Sequence, residues 1–216
     1  MSLEILYEDN HVIVCVKPIG ILSQEDYTKD MDMLTIIKQY IKDTYNKPGN
    51  VYLGLVHRLD RMTGGVMVFA KTSKAATRLN EQIRNHNFKK KYYAVVKGVI
   101  EGKGHLENYL IKDEKEVKSY VGNAKSGKLA ILDYEVKNIV NGNSLVDVNL
   151  KTGRHHQIRV QFSHINHPLL GDKLYGENTN VDLMLYAYSL TFNHPITKEE
   201  MIFEKIPNTK NWNMYF

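Results

Sequence analysis

Short runs rich in valine, isoleucine and tyrosine recur along this chain, and they constrain its fold more than any other feature. Glycine, proline, asparagine or aspartate closes most of them, and runs of this length and composition are typical of β-strands. The predicted strands are residues 3–7, 12–16, 51–56, 66–70, 92–96, 129–136, 145–150 and 184–192. The chain should therefore be built mainly on a β-sheet.

Only a few segments carry a helical pattern. Met33–Tyr45 repeats its apolar side chains every three or four residues, with Asp32 in front of it as a cap, and residues 75–83 continue that pattern. Helices do not alternate regularly with strands, and hairpin-sized turns such as 141–143 separate neighbouring strands. The sequence therefore predicts an α+β fold, in which a mixed, mostly antiparallel sheet is flanked by a few helices and loops.

No repeat, low-complexity tract or linker rich in proline and serine divides the chain. We therefore expect one domain over residues 1–216. The charged segment 112–128 is interpreted as loops between strands.

Composition narrows the class of protein. The chain carries 29 Lys and Arg against 24 Asp and Glu, a net charge of +5 that is compatible with nucleic acid or simply with solubility. Its single cysteine, Cys15, allows no intrachain disulfide, and its place among valines is typical of a small buried hydrophobic residue. The N-terminus has no signal-peptide pattern and no stretch reaches the ~18 apolar residues of a membrane span, so we expect a cytoplasmic protein.

Two motifs point to functions that their context does not support. Residues 122–129 match a phosphate-binding P-loop except at Leu129, and the β-like sequence that follows predicts a turn between strands instead of a loop that opens a helix. Four histidines, His155, His156, His164 and His167, lie close in sequence, but no metal-ligand spacing accompanies them. We therefore expect no metal and no nucleotide cofactor.

Three segments, residues 57–65, 90–94 and 150–159, mix ionisable groups with residues that would normally face a core. Each has a structural interpretation of its own. Asp60 can belong to an exposed ion pair, the lysines of the second segment can line a solvated strand edge, and the third segment can begin a helix. By residue chemistry alone, the structural interpretation is favoured for any one of them.

Taken together, the segments resemble a known family. HRLDRMTGG, residues 57–65, is similar to the HRLDxxTSG signature of the RluA-type pseudouridine synthases. Other stretches resemble further motifs of that family in the same order: residues 5–9, 16–20, 90–98, 152–159, 167–172 and 190–195. The resemblance extends over most of the chain.

This resemblance implies the pseudouridine synthase fold and an isomerase acting on specific uridines of ribosomal or transfer RNA. Uracil is detached from ribose C1′ through N1, turned in the site and rejoined through C5. The implied catalytic residues are Asp60, with Arg159 as its pairing partner, and Tyr92, which lies near the uracil and takes the C5 proton. Asp60 must be ionised to trap C1′ or to take a proton from C2′, and both routes stay open.

Further implied residues contact RNA. Arg58 enters the duplex where the target base has flipped out, because a flat guanidinium can stack there. The other implied RNA-binding residues are His57, Arg61, Thr63, Lys90 and Arg154. The resemblance also implies a single catalytic domain without a small N-terminal S4-like module, and no cofactor or metal. We expect a monomer with no obligate protein partner and no membrane association.

Two alternatives of other classes stay open at this point. A catalytically idle RNA-binding protein could use the same fold, although Asp60 is retained. A glycosidase would need a second carboxylate, which the three segments do not supply. Gly64, Gln161 and Tyr186 depart from the usual residues of the family, and these departures leave the preferred RNA open.

Overall fold

The computed structural model describes residues 3–216. These residues form two compact units. The first unit contains residues 3–89 with Ala187–Lys205, and the second contains Lys90–Tyr186 with Ile206–Phe216. Each unit has strands and helices of its own and is described by itself. The expectation of one domain over residues 1–216 stays a prediction.

Strands outnumber helices along the chain. In order, the elements are β1 (Glu4–Glu8), β2 (Val12–Lys17), α1 (Met33–Tyr45), β3 (Gly54–Leu55), β4 (Gly64–Ala70), α2 (Ser73–Arg84), β5 (Lys89–Lys97), β6 (Lys103–Asp113), β7 (Lys118–Gly122), β8 (Lys128–Val140), β9 (Asn143–Leu150), α3 (Gln157–His164), β10 (Leu185–Asn193), β11 (Glu200–Glu204) and α4 (Lys210–Asn213). The architecture is a mixed, mostly antiparallel sheet with few helices, as the sequence predicted.

In the first unit the strands follow the order β1, β2, β4 and β10, with β3 paired to β4 and β11 paired to β10. β2 and β4 pair antiparallel, and nearly every side chain of both strands is buried. This burial on both faces explains why their sequences are continuous apolar runs instead of alternating ones. The core joins Val14, Val68, Leu79 of α2 and Phe192 of β10.

Both helices of the first unit begin at a side-chain cap. Asp32 accepts a hydrogen bond of 3.2 Å from the backbone N of Thr35, which confirms the predicted cap of α1. The second helix begins two residues earlier than predicted, at Ser73, because Thr72 caps it by accepting from the backbone N of Ala75 at 3.1 Å.

In the second unit the strands follow the order β5, β9, β8, β6 and β7, and all these pairs are antiparallel. Asn141 and Gly142 join β8 to β9 with φ values of 51° and 73°. Two positive φ values in a two-residue loop match the right-handed twist of paired strands, and Asn-Gly adopts them readily. This confirms the predicted hairpin.

Three strands were not predicted, and one predicted strand is longer than the strand observed. The interpretation of residues 112–128 as loops is wrong for Lys118–Gly122, which forms β7, and β6 and β11 were not predicted. Each of the three missed strands has exposed or partly buried side chains along its length, so no apolar run marks it. The predicted strand 51–56 is reduced to Gly54–Leu55.

The P-loop-like segment is a turn, as predicted, because β7 ends at Gly122 and β8 begins at Lys128. Within residues 3–216, no helix combines the length and the apolar character that crossing a bilayer requires. The same residues contain no group of three or more His, Cys, Asp or Glu side chains that could hold a metal ion. Cys15 is buried in β2, and this burial raises the pKa of its thiol to about 12.

Candidate active site

Asp60 lies in the loop between β3 and β4 of the first unit, with buried and exposed residues around it. Its own side chain is partly buried, Leu59 before it is buried, and Arg58 and Arg61 are exposed. The mixture of acid, base and leucine that stands out in the sequence therefore reflects a loop that has one side in the core.

A serine hydroxyl fixes the backbone immediately before Asp60. The Ser23 hydroxyl donates to the carbonyl oxygen of Leu59 at 2.7 Å and accepts from the backbone N of the same residue at 3.0 Å. Ser23 is only 5% exposed, so water does not compete with these two bonds. The peptide groups on both sides of Leu59 are thereby held in one orientation.

A buried lysine fixes the backbone immediately after Asp60. The Lys17 ammonium donates to the carbonyl oxygens of Pro18 at 2.9 Å, Ile21 at 2.6 Å and Arg61 at 3.0 Å. The backbone N of Gly20 donates to the same Arg61 oxygen at 2.9 Å. The turn of residues 17–21 and the loop that carries Asp60 are therefore joined through one carbonyl group.

Lys17 is fully buried, which affects its proton. Burial lowers the pKa of Lys17 to about 7, while the nearby Asp60 carboxylate raises it and Arg61 lowers it further. The three carbonyl oxygens match the three N–H groups of an ammonium ion, so the geometry suits the charged form. The loop of Asp60 thus rests on a cation whose charge is sensitive to pH.

The remaining predicted residues of this loop have different surroundings. Arg61 donates from Nε to the Gly20 carbonyl at 3.1 Å and pairs with Asp30 at 2.7 Å, in an exposed ion pair of the kind that contributes little to stability. His57 accepts from the backbone N of Val68 at 3.1 Å. Thr63 is 2% exposed, and its backbone N donates to the Asp60 carbonyl at 3.0 Å. His57 and Thr63 therefore contact the protein that surrounds the loop.

The glycine that ends the signature is sterically required. Gly65 has a φ of 131°, and a Cβ built on it would lie 2.2 Å from the carbonyl oxygen of Ala187. Any other residue would force β4 and β10 apart at the point where the loop of Asp60 joins the sheet.

In the second unit, Tyr92 lies on β5, where it faces Val148 of β9. It is 6% exposed and lies on the same side of β5 as Ala94, which is fully buried. Tyr93, on the opposite side of the strand, packs its ring edge-on against Phe216 with centroids 4.9 Å apart. The two neighbouring tyrosines thus have different environments.

Arg159 lies on α3 and is held by a carboxylate that was not among the predicted site residues. Its Nε donates to Oδ2 of Asp172 at 2.7 Å and its Nη2 donates to Oδ1 at 2.8 Å. The carbon at the centre of the guanidinium lies 5.1 Å from the ring centre of Tyr175. Two parallel bonds and a ring contact fix the plane of the guanidinium.

Asp172 has several partners besides Arg159. Its Oδ1 also accepts from the backbone N of Leu174 at 3.0 Å and of Tyr175 at 3.1 Å. Burial raises the pKa of this carboxyl, but the hydrogen bonds and charge of Arg159, with the two amides, outweigh that effect and leave the pKa below its ordinary value. The side chain is 0% exposed, so the pair is a buried ion pair whose members depend on each other.

A buried glutamine organises the turn before α3. Gln157 accepts from the Thr152 hydroxyl at 2.7 Å and from the backbone N of Arg154 at 3.0 Å. Its amide donates to the Ile131 carbonyl at 3.1 Å and to the Gln161 side chain at 3.0 Å. Gln161, one of the departures from the family pattern, is fully buried and its amide continues this network.

Two basic residues of the second unit remain. Arg154 is exposed, and its Nε donates to the carbonyl of Leu129 at 2.8 Å. Lys90 lies on β5, two residues before Tyr92 and therefore on the same side of the strand. A Cβ built on Gly153 would lie 3.0 Å from the Lys90 ammonium, so this glycine leaves space for it.

The predicted residues thus form a group on each unit, His57, Arg58, Asp60, Arg61 and Thr63 on the first and Lys90, Tyr92, Arg154 and Arg159 on the second. The pairing of Asp60 with Arg159 stays a prediction. Sequence reasoning missed Lys17, Ser23, Gln157 and Asp172, which hold these residues in place. The only sequence signal was that each lies in or next to a segment that resembles the family.

Comparison with known proteins identifies the family. Residues 11–164 match the family model described as RNA pseudouridylate synthase. The chain is 31% identical to tRNA pseudouridine synthase C of Haemophilus ducreyi, over 100% of this chain and 95% of that protein. It is 33% identical to ribosomal large subunit pseudouridine synthase D of Pseudomonas aeruginosa, over 98% of this chain and 71% of that protein.

A solved structure has the same fold. Human RNA pseudouridylate synthase domain containing 4 superposes with a TM-score of 0.81 at 22% identity, over 97% of this chain and 90% of that one. The family model extends through the Asp60 loop, β5 and α3 to its end, and the two sequence relatives cover nearly the whole chain. The chain therefore belongs to the RNA pseudouridylate synthase family, the isomerases that convert uridine in RNA to pseudouridine.

Proposed function

We propose that this protein isomerises uridine with Asp60 as its catalytic carboxylate, Tyr92 beside the uracil and Arg159 as the cation that keeps the carboxylate ionised. The observation that carries the assignment of Asp60 is the support of its loop. Buried groups bind the backbone of Leu59 on one side and of Arg61 on the other. A carboxylate that must meet one carbon of a ribose benefits from a backbone that does not move.

The chemistry begins when the bond between N1 of uracil and C1′ of ribose breaks and its electron pair leaves with the base. Asp60 either forms an ester with C1′ or removes a proton from C2′ to give a glycal, and in the second route that proton returns to C2′ when the new bond to C1′ forms. The uracil then turns and forms a bond from C5 to C1′, which frees the carboxylate. Loss of the C5 proton, for which Tyr92 is the proposed base, and uptake of a proton at N1 restore the aromatic ring.

Arg159 suits its proposed role because two parallel hydrogen bonds to Asp172, from Nε and from Nη2, fix the plane of its guanidinium. Its plane is set before substrate arrives, so its positive charge does not need to be reoriented during the reaction.

We further propose that six residues serve RNA binding in two ways. They are Arg58, His57, Arg61, Thr63, Lys90 and Arg154. The exposed Arg58 and Arg154 can reach RNA directly, and Arg58 is the candidate to stack where the target base has left the helix. His57 and Thr63 act through the shape of the loop, because their bonds are to the protein backbone or lie in its interior.

The test is release of tritium from RNA labelled at uridine C5. Unmodified transcripts of transfer RNA and of large-subunit ribosomal RNA are incubated separately with wild-type protein and with Asp60→Asn, since the two sequence relatives are named for these two classes of RNA. Release by wild type alone is expected from one class. Equal release by clean Asp60→Asn protein would overturn the role of Asp60, and no release from either class would overturn the proposed substrates.

We also propose that residues 1–216 act as one catalytic domain, as a monomer without an obligate protein partner, in the cytoplasm. One domain is favoured because the family model spans residues 11–164 and so includes parts of both units. Trp212, the single tryptophan, belongs to the second unit, so its fluorescence follows that unit while circular dichroism follows both. Coincident urea transitions and a monomer mass by light scattering are expected, and separate transitions would contradict one domain.

A further inference from the structure

Lys90 is a cation whose charge no neighbouring group balances. Its ammonium makes no hydrogen bond or ion pair with any residue of the described chain, 3–216. Its neighbours in sequence, Lys89 and Lys91, are exposed, whereas Lys90 is only partly so. Burial lowers the pKa of Lys90, and no carboxylate acts against that effect. A desolvated cation without a partner costs free energy, which a bound anion can recover.

The space around this ammonium is provided by a glycine. Gly153 has no positive φ, so its backbone conformation does not require glycine. A Cβ at this position would nevertheless lie 3.0 Å from the Lys90 ammonium, closer than side chains normally approach. The glycine therefore leaves the ammonium accessible beside the turn of residues 152–156, at the exposed surface of Gly153 and Arg154.

The position of Lys90 along its strand relates it to the substrate. Lys90 and Tyr92 are alternate residues of β5 and so lie on the same side of the strand, ~7 Å apart along it. Lys91 points to the opposite side. If Tyr92 lies beside the uracil, the Lys90 ammonium is close enough to reach a phosphate of that nucleotide or of its neighbour.

We propose that Lys90, in the space left by Gly153, is the binding residue for one backbone phosphate next to the target uridine. This inference rests on the proposed function, because it takes Tyr92 as the residue beside the base. The phosphate supplies the anion that Lys90 lacks within the protein, and an ammonium ion binds phosphate oxygens as a point charge. The phosphate thereby places the nucleotide along β5 before the base is turned.

The test compares Lys90→Gln with Lys91→Gln, an adjacent lysine that is exposed and on the other side of the strand. The intact protein is titrated with a short oligouridylate at several salt concentrations. Loss of one phosphate contact on single-stranded RNA should make the negative slope of log K against log salt shallower by ~0.7 and weaken binding about fivefold at 0.1 M salt. We expect this change for Lys90→Gln and a markedly smaller one for Lys91→Gln. Equal slopes for the two variants would overturn the assignment.

A second pair of variants tests the geometry without relying on charge alone. Gly153→Ala should weaken binding of the wild-type protein, because the added methyl group displaces the ammonium, but should have little further effect in Lys90→Gln. Additive losses would show that Gly153 acts independently of Lys90 and would overturn the inference. Tritium release by the wild-type protein distinguishes failure of this inference from failure of the proposed function. If wild type releases tritium but Lys90→Gln binds the oligouridylate as tightly as wild type, only the phosphate site is wrong. If wild type releases no tritium, the proposed reaction is wrong.

Discussion

The loop of Asp60 and the helix of Arg159 are held in place in different ways. In the first unit, buried groups bind the backbone on both sides of Asp60, through the Ser23 hydroxyl at Leu59 and the Lys17 ammonium at Arg61. In the second unit, Asp172 binds the Arg159 side chain itself with two parallel hydrogen bonds. One residue is positioned through its neighbours and the other through its own charge.

This difference predicts which substitutions each region tolerates. A loop held by its backbone can keep its course when the side chain at its centre is changed, so its chemistry and its stability are separable. A side chain held by a buried carboxylate cannot be removed without leaving that carboxylate unpaired, so its role in the reaction and its role in stability are coupled. Substitutions at Asp60, Arg159, Lys17 and Ser23 test this contrast.

Asp60→Asn should have the largest effect, on turnover alone. The amide cannot act as a nucleophile or a base, so we expect turnover to fall by roughly 10³-fold or more, with RNA binding and the free energy of unfolding little changed. Tritium release, RNA titration and urea unfolding measure the three quantities. Asp43→Asn, at an exposed position of α1, is the matched control and should match wild type in all of them.

Arg159→Ala should lower both activity and stability. It leaves the buried Asp172 carboxylate without its ion-pair partner, at an expected cost of ~3–5 kcal/mol in the free energy of unfolding. The double variant Arg159→Ala, Asp172→Asn should recover part of that stability, because no buried charge is left, but none of the activity. If the double variant loses the full sum of both changes, the pair does not act as a unit.

The same pair predicts a dependence on pH. The pKa of Asp172 is lower in the folded protein than its ordinary value of 3.8, so the stability that it contributes is present above that value. That stability is lost as the pH falls through the still lower pKa of the folded state. The difference in stability between wild type and the double variant should therefore be constant near neutrality and shrink below about pH 4.

Lys17→Met should have the next largest effect, with a pH dependence of the same direction in a higher pH range. At pH 9 the neutral amine of Lys17 still supplies two N–H donors to the buried carbonyl groups, and we expect their loss to cost ~2–3 kcal/mol. The pKa of Lys17 falls from 10.5 in the unfolded chain to about 7 in the folded protein, so the folded state binds fewer protons between these values. Wild-type stability therefore rises with pH across this window, and the gap to Lys17→Met should narrow as the pH falls from 9 to 7.

Urea unfolding of both proteins at several pH values measures this gap. The difference in the free energy of unfolding between the two proteins cancels the contribution of the other groups that titrate between pH 7 and 10.5. A gap that is independent of pH would mean that Lys17 keeps its proton throughout, held by the three carbonyl oxygens.

Ser23→Ala should have the smallest effect on stability but a specific effect on turnover. Loss of the hydroxyl leaves both backbone groups of Leu59 unpaired, at ~1–2 kcal/mol, and lets the loop of Asp60 move. We expect kcat to fall several-fold with little change in KM for RNA. Ser144 offers a matched control, since its buried hydroxyl accepts from the backbone N of Ile100 and donates to the Gly98 carbonyl. Ser144→Ala should cost similar stability and leave kcat unchanged.

Much of the fold was predictable because local patterns decide it. The core strands β2 and β4 appear as apolar runs, and α1 was predicted with both its bounds and its cap. β6 and β7 were missed because no continuous apolar run marks them, and neighbouring strands supply their hydrogen bonds. A segment without an apolar run can form a strand when another strand pairs with it, and the sequence of the segment alone does not show that other strand.

By itself, the sequence determined the family and indicated Asp60, Tyr92 and Arg159 as candidate catalytic residues, because they lie in short segments whose order is visible along the chain. Only the tertiary structure decided what holds them. Ser23 is 36 residues from Leu59, Lys17 is 44 from Arg61, and Asp172 is 13 from Arg159. Serine, lysine and aspartate are common surface residues. They become positioning groups only when folding removes them from water, so that they bind polar atoms of the protein instead.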